Sequence, residues 1–327
     1  ADGSPGPALA FVALRMRKML AELDGVRIDH PHGLVCPWVY RADVADALWA
    51  VQHGARLFES PDLEDHPGLA DLSIARRAQL ASDATTPRYA DEWVRTLDDA
   101  QVARYSEVIE VIMQIAANGG RERSDIIAEV LSTLPYPLRR VLERYGLGRF
   151  RVTQKANLND PTDVYRSENA EPPDWIMLGN HDTKPMWLRA DEWRQSGALA
   201  AQAAYLARRL GQGPRVTALE HQLVADRGAF VHAKFADLLL SRAENVMVFF
   251  ADLFGLREIY NAPGTVSPDN WSLRLTSDFA ARYGELAPRL GALNLPYALA
   301  MALRALPGVG EHGDVSDLAD QLVPTRL

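Results

Sequence analysis

Five short apolar runs punctuate the chain, and several end on Asp, Glu or Asn. They are "GVRID" (25–29), "DIIAE" (125–129), "RFRVTQ" (149–154), "WIMLGN" (175–180) and "NVMVFF" (245–250). Each has the length of a buried strand and is too short for a helix. Helical patterns lie around them at 8–23, 42–54, 74–82, 89–117, 136–146, 189–210 and 215–242, and 272–307 is mostly helical. Gly146 ends "YPLRRVLERYG" in the manner of a helix C-terminus. Strands alternating with helices predict parallel βα units. Polar strand ends predict a (β/α)8 TIM-type barrel, whose functional residues sit at the carboxyl ends of its strands. An open doubly wound sheet ranks second, because no G-x-G-x-x-G or P-loop turn is present. Residues 1–327 read as a single barrel portion, with a helical insertion at about 40–120.

The acids that follow these runs are Asp29, Glu129 and Asp182. If their strands share one barrel, the three side chains converge on one mouth. Retaining glycoside chemistry needs such a set: one carboxylate attacks the anomeric carbon, and a protonated partner about 5–5.5 Å away serves the leaving oxygen. A third acid can steady the sugar hydroxyls. Arg27, two before Asp29, points to the same side of its strand and would keep the attacking carboxylate ionised. For any single strand-end acid, a helix cap or a surface charge is the plainer reading. Three acids with an in-phase arginine shift the balance toward chemistry.

"GNHD" (179–182) also matches a metal-binding step of calcineurin-like phosphoesterases, but the companions are missing. Asp29-His30-Pro31-His32 has the wrong spacing, and Gly313-Asp314 comes too late in the chain. There is no H-E-x-x-H, and His53, His66, His221, His232 and His312 share no spacing, so no metal site is expected.

Net charge is −8 and no Lys/Arg stripe forms, which argues against nucleic acid and suits a neutral substrate. The single cysteine, Cys36, precludes an internal disulfide and favours a reducing compartment, the cytoplasm. No apolar run reaches eighteen residues, so no membrane span is expected. The start has no basic segment ahead of its apolar stretch and is not a secretory signal. It also lacks Met, which points to processing or to a longer parent chain.

"DGVRIDHPHG", "DIIAEVL", "YPLRRVLERYGLGRFRV", "GNHDTKPMW" and "DLFGLREIYNAPGTVSPDNWSLRL" occur in this order. Together they resemble the 4-α-glucanotransferases (amylomaltases, or disproportionating enzymes) of the α-amylase superfamily, from near residue 8 to about 275. The resemblance implies Asp29 as nucleophile, Glu129 as general acid/base and Asp182 as transition-state stabiliser. Arg27 would position the nucleophile, and His181 would bind a sugar hydroxyl. It implies α-1,4-glucan or maltooligosaccharide substrates and no metal or organic cofactor. A hydrolase of the same superfamily, or a non-catalytic glucan-binding remnant, is the alternative. The nucleophile strand is the fourth of eight in that family, so the barrel here would be incomplete by about three N-terminal strands.

Two motifs depart from the family. Val130-Leu131-Ser132 follows Glu129 where Asp-Leu-Gly is common, and Asn180 stands where threonine is common. Asn180, Asn261 and Trp187 join the expected substrate-binding set. Trp187 is favoured as a sugar-stacking platform over Trp38, Trp175, Trp193, Trp271, Tyr40 and Tyr136.

Overall fold

The computed structural model describes residues 6–61, 63–81, 83, 85–308 and 313–323. His312 and the first five residues of the Gly/Pro-rich lead-in lie outside them. The chain divides into two compact units, Ala1–Phe150 and Arg151–Leu327.

The first unit opens with α1 (Pro7–Glu22), with proline in its first turn, where a missing N–H costs no helical bond. Next come β1 (Val26–Ile28), α2 (His32–Val35), β2 (Trp38–Val39), α3 (Ala47–Gln52) and β3 (Ala55–Arg56). After two 3-10 turns the chain forms α4 (Asp99–Tyr105), α5 (Glu107–Asn118), β4 (Ile126–Ala128) and α6 (Tyr136–Tyr145). β1 and β4 pair in parallel with Val26 opposite Ile126 and Ile28 opposite Ala128. In both strands the outer two residues are buried and the middle one is half-buried, so each sends alternate side chains into one core. That core also takes Leu138 and Val141 of α6 and Ile109 and Ile112 of α5. Gly25 permits the close approach before the ladder: a Cβ there would fall 2.4 Å from the Asp125 carbonyl oxygen. Gly146, at φ +61°, closes α6 as expected.

The insertion is less helical than its pattern predicts. β2 and β3 form an antiparallel pair, Trp38 opposite Arg56. Among the described residues of the 74–82 segment only Arg77–Gln79 turns, as a 3-10 helix, because Leu80 bridges Val94 in extended backbone. The same bridge keeps 89–98 from continuing the following helix. That helix starts where Asp98 caps it, with the Asp98 side chain accepting from the Gln101 N–H and Gln101 reaching back.

In the second unit β5 (Phe150–Val152, starting at the last residue of the first unit), β6 (Trp175–Met177) and β7 (Asn245–Met247) form one sheet in that order. β6 and β7 are parallel, with Ile176 opposite Val246. The long helical patterns divide in two. Gly197, at φ +81°, separates α7 (Met186–Ser196) from α8 (Leu199–Leu210). Asp226 ends α9 (Arg215–Ala225) and caps α10 (Arg227–Leu239) through the Ala229 N–H. α10 is buried from Gly228 to Leu238 and forms the axis of this core. α11 (Phe250–Leu253), α12 (Phe279–Leu286), α13 (Leu295–Ala305) and α14 (Gly313–Gln321) complete it. The fold is α/β, with parallel strand pairs and helical insertions. Among the described residues the strands form separate sheets of two, two and three rather than one closed barrel. No helix is long and apolar enough to cross a membrane, among the described residues.

Candidate active site

Two groups of the expected residues assemble, one in each unit. In the first, Val26 and Ile28 turn into the core, so Arg27 and Asp29 share the opposite face. The register of Ile28 with Ala128 sets Asp29 level with Glu129, and the ladder runs on through the Glu129 N–H to the Ile28 carbonyl, 2.9 Å. Arg27 Nη2 lies 2.7 Å from Asp29 Oδ1 and 2.6 Å from Glu129 Oε1. His30, held at φ +44°, brings Nδ1 to 3.2 Å from both Asp29 Oδ2 and Glu129 Oε2. The Arg27 guanidinium also stands over the Phe150 ring at 5.7 Å.

The two carboxyls differ sharply in exposure, 64% for the Asp29 side chain and 2% for that of Glu129. Burial pushes Glu129 above the ordinary carboxyl range, and its hydrogen bond with Asp29 adds to this against the lowering effect of Arg27. Burial also acts to raise Asp29, but hydrogen bonds with Glu129 and His30 and the charge of Arg27 prevail and hold it below its usual value. The environments therefore push the two apart: Asp29 ionises more readily than an ordinary carboxyl, and Glu129 less readily. An Asp29 oxygen, a His30 ring nitrogen and a Glu129 oxygen lie within 4.8 Å of one another, a spacing that could suit a cation. Arg27 already sits against both carboxylates with a fixed positive charge, so the set is an ion-paired acid couple and a poor cation cradle.

The second group follows β6. A Cβ on Gly179 would fall 2.2 Å from Gln154 Nε2 and 2.5 Å from Thr183 Oγ1, so only glycine fits. Asn180 is 6% exposed, and Oδ1 accepts from the Asp182 N–H at 3.0 Å. Its own N–H donates to Thr183 Oγ1, and the Thr183 N–H returns to its carbonyl. Asn180 thus builds the turn that presents His181 and Asp182. Gln154 Nε2 braces the turn through Thr183 Oγ1 and the Lys184 carbonyl. Half-buried Asp182 accepts from Asn261 Nδ2 at 2.6 Å and lies 3.2 Å from His181 Nε2. Asn261 is 8% exposed and directed at Asp182.

The expectation for Trp187 is corrected. It lies in the buried face of α7, 2% exposed, and its indole N–H donates to the Asp252 carbonyl at 2.8 Å, so no ring face is open to a sugar. Trp271 is the aromatic beside Asp182's turn: its ring centre is 5.4 Å from that of His181 and its side chain is exposed. Its φ of +66° and its N–H bond to the Tyr260 carbonyl hold the ring there. "NAPGTVSPDNW" carried both Asn261 and Trp271, but nothing local in it distinguishes Trp271 from the other tryptophans.

The profile of the 4-alpha-glucanotransferases, glycoside hydrolase family 77, matches residues 10–279. The chain belongs to this family. No curated protein matches it significantly by sequence. Two solved structures of similar fold are an amylomaltase from Streptococcus agalactiae in complex with acarbose and an amylomaltase from Corynebacterium glutamicum. The first has 16% identity and a TM-score of 0.51, covering 86% of this chain and 44% of its own. The second has 15% identity and a TM-score of 0.51, covering 86% of this chain and 37% of its own. This 4-alpha-glucanotransferase family member thus spans less than half the length of either structure.

Proposed function

We propose that this chain transfers α-1,4-glucan segments between maltooligosaccharides by a retaining double displacement. The observation that carries the reading is the pairing of an exposed Asp29 and a buried Glu129 about Arg27, 2.7 and 2.6 Å from its Nη2. Asp29, kept ionised, attacks the anomeric carbon while Glu129 gives its proton to the departing glycosidic oxygen. The donor segment is then held as an ester on Asp29. The 4-hydroxyl of an acceptor glucan attacks that ester, and Glu129, now a carboxylate, takes the hydroxyl proton. Asp182 acts as the stabilising carboxylate, and His181 binds a sugar hydroxyl. Trp271 replaces Trp187 as the stacking platform, and Asn261 orients Asp182. The close approach of Asp29 and Glu129 supports retention, since inverting pairs stand about 6.5–9.5 Å apart. The reaction calls on no metal or organic cofactor. The buried thiol of Cys36 suits a reducing, cytoplasmic setting.

Incubation of the chain with maltotriose tests the reading. Glucose together with a ladder of longer oligomers is the expected product pattern. Glucose and maltose alone would indicate a hydrolase, and binding without turnover a non-catalytic glucan-binding protein. Asp29→Ala is expected to abolish turnover; an active Asp29→Ala enzyme would remove Asp29 as nucleophile.

A further inference from the structure

Asp252 is a buried acid, 1% exposed, that the chemistry above does not use. It lies in α11, just after β7, and β7 is the sheet neighbour of β6, which leads to Asp182. Asp252 Oδ1 accepts from the Met186 N–H at 2.5 Å, and its carbonyl accepts from the Trp187 indole. Its second carboxyl oxygen has no hydrogen-bond partner. Met186 is the first residue of α7. The residue ahead of it is Pro185, which has no side-chain acceptor, so α7 lacks a local cap. Asp252 supplies that cap from another element, with its acceptor at the positive end of the helix dipole.

The loop from Asn180 to Pro185 is therefore tied at both ends. Hydrogen bonds among Asn180, Asp182 and Thr183 fix its start, and Asp252 fixes its exit into α7. An apolar side chain would fill the Asp252 position without leaving a buried oxygen unpartnered. The acid is the costlier choice for packing, and what it adds is a directed bond to Met186. We propose that Asp252 is a positioning residue, which fixes the start of α7 and through it the placement of His181 and Asp182. The inference rests on the role proposed for Asp182. Burial pushes Asp252 up to about 7, so asparagine, uncharged and with the same acceptor, is a close mimic.

The test compares Asp252→Ala with Asp252→Asn in the full chain. Three readouts are taken: thermal unfolding, kcat and KM on maltotriose, and the NMR chemical shifts of the His181 ring. Alanine is expected to lower kcat about 10²-fold, the scale of a small misplacement at a reacting centre. KM should change little, and the His181 ring resonance should move. Asparagine should restore all of these. An alanine variant that melts earlier but keeps wild-type kcat and an unchanged His181 signal would overturn the proposal, as would an asparagine variant as impaired as alanine. If alanine does not fold, Asp252→Ser takes its place, since its oxygen falls one bond short of Met186. If the wild-type chain shows no glucan transfer, the proposed function fails. The His181 ring resonance then decides alone: a displaced resonance in the alanine variant upholds the positioning role, and an unmoved one removes it.

Discussion

Arg27 Nη2 lies 2.6 Å from Glu129 Oε1, an ion pair between the middle of one strand and the end of its parallel neighbour. The same nitrogen serves Asp29 at 2.7 Å, so one cation acts on both ionisations. Glu129 is raised mainly by burial, with Arg27 opposing; Asp29 is lowered with Arg27 contributing. Activity is expected to rise with pH as Asp29 loses its proton and to fall as Glu129 loses its own, giving a bell in kcat/KM. Removing the cation disfavours both charged forms, so Arg27→Ala should move both limbs to higher pH and lower kcat by about 10² or more. Arg27→Lys keeps the charge without the planar fork, so the bell should stay in place while kcat falls. A pH profile of all three proteins checks this, and an Arg27→Ala bell at the wild-type position would contradict it.

Asn261 Nδ2 reaches Asp182 Oδ1 at 2.6 Å from a position 79 residues along the chain. A hydrogen bond to a charged group is worth roughly 1.5–3 kcal/mol, so Asn261→Ala should lower kcat about 10- to 100-fold. Asn261→Asp sets a second carboxylate against the first. It should be worse than alanine, since like charges in contact repel. Steady-state rates at neutral pH separate the variants.

Asn180 is tested through the turn it builds. Threonine can offer its hydroxyl to the Asp182 N–H in the same kind of turn, so Asn180→Thr should fold and turn over nearly as the wild type does. Asn180→Ala leaves that N–H without its acceptor and should cost about 1 kcal/mol in denaturant unfolding, with a matching loss in kcat. Equal behaviour of the two variants would remove the turn as the reason for Asn180.

Glu59 bears on stability and pH in the first unit. It is 1% exposed, and burial pushes it up to about 7 against the lowering effects of Arg56 and a Cys36 hydrogen bond. The folded state therefore holds this proton to higher pH than the unfolded state does. Its contribution is fully present below the ordinary carboxyl value of 4.5 and is lost as pH rises toward 7, at roughly 1.4 kcal/mol per pH unit. Asp252, also pushed up to about 7, adds a slope of the same sign. Glu59→Gln should flatten the fall in unfolding free energy between pH 5 and 7 without removing it (roughly halving the slope if the two acids contribute alike). Urea unfolding across that range would show an unchanged slope if Glu59 does not titrate there.

The local pattern determined much of this molecule by itself. Apolar runs of strand length located β1, β4, β5, β6 and β7, because a short apolar run bounded by polar residues is legible within a few positions whether its burial alternates, as in β1 and β4, or not, as in β5. Gly146 marked a helix end, and strand-end acids marked Asp29 and Glu129 as candidates. The order of short motifs pointed to the family to which the chain belongs. Only tertiary structure decided the rest. Periodicity says which face of a strand is buried, but not that Ile28 pairs with Ala128 and so sets Asp29 beside Glu129. Two-residue strands such as β2 and β3 are too short to show a period, and the Leu80–Val94 bridge turned a helical pattern into extended chain. In a string of letters Trp187, five residues after Asp182, looks better suited to stacking than Trp271. One is sealed against Asp252 and the other is exposed beside His181, because burial depends on which elements meet. The bonds from Asn261 to Asp182 and from Asp252 to Met186 span 79 and 66 residues, and such contacts exist only once the chain has closed upon itself.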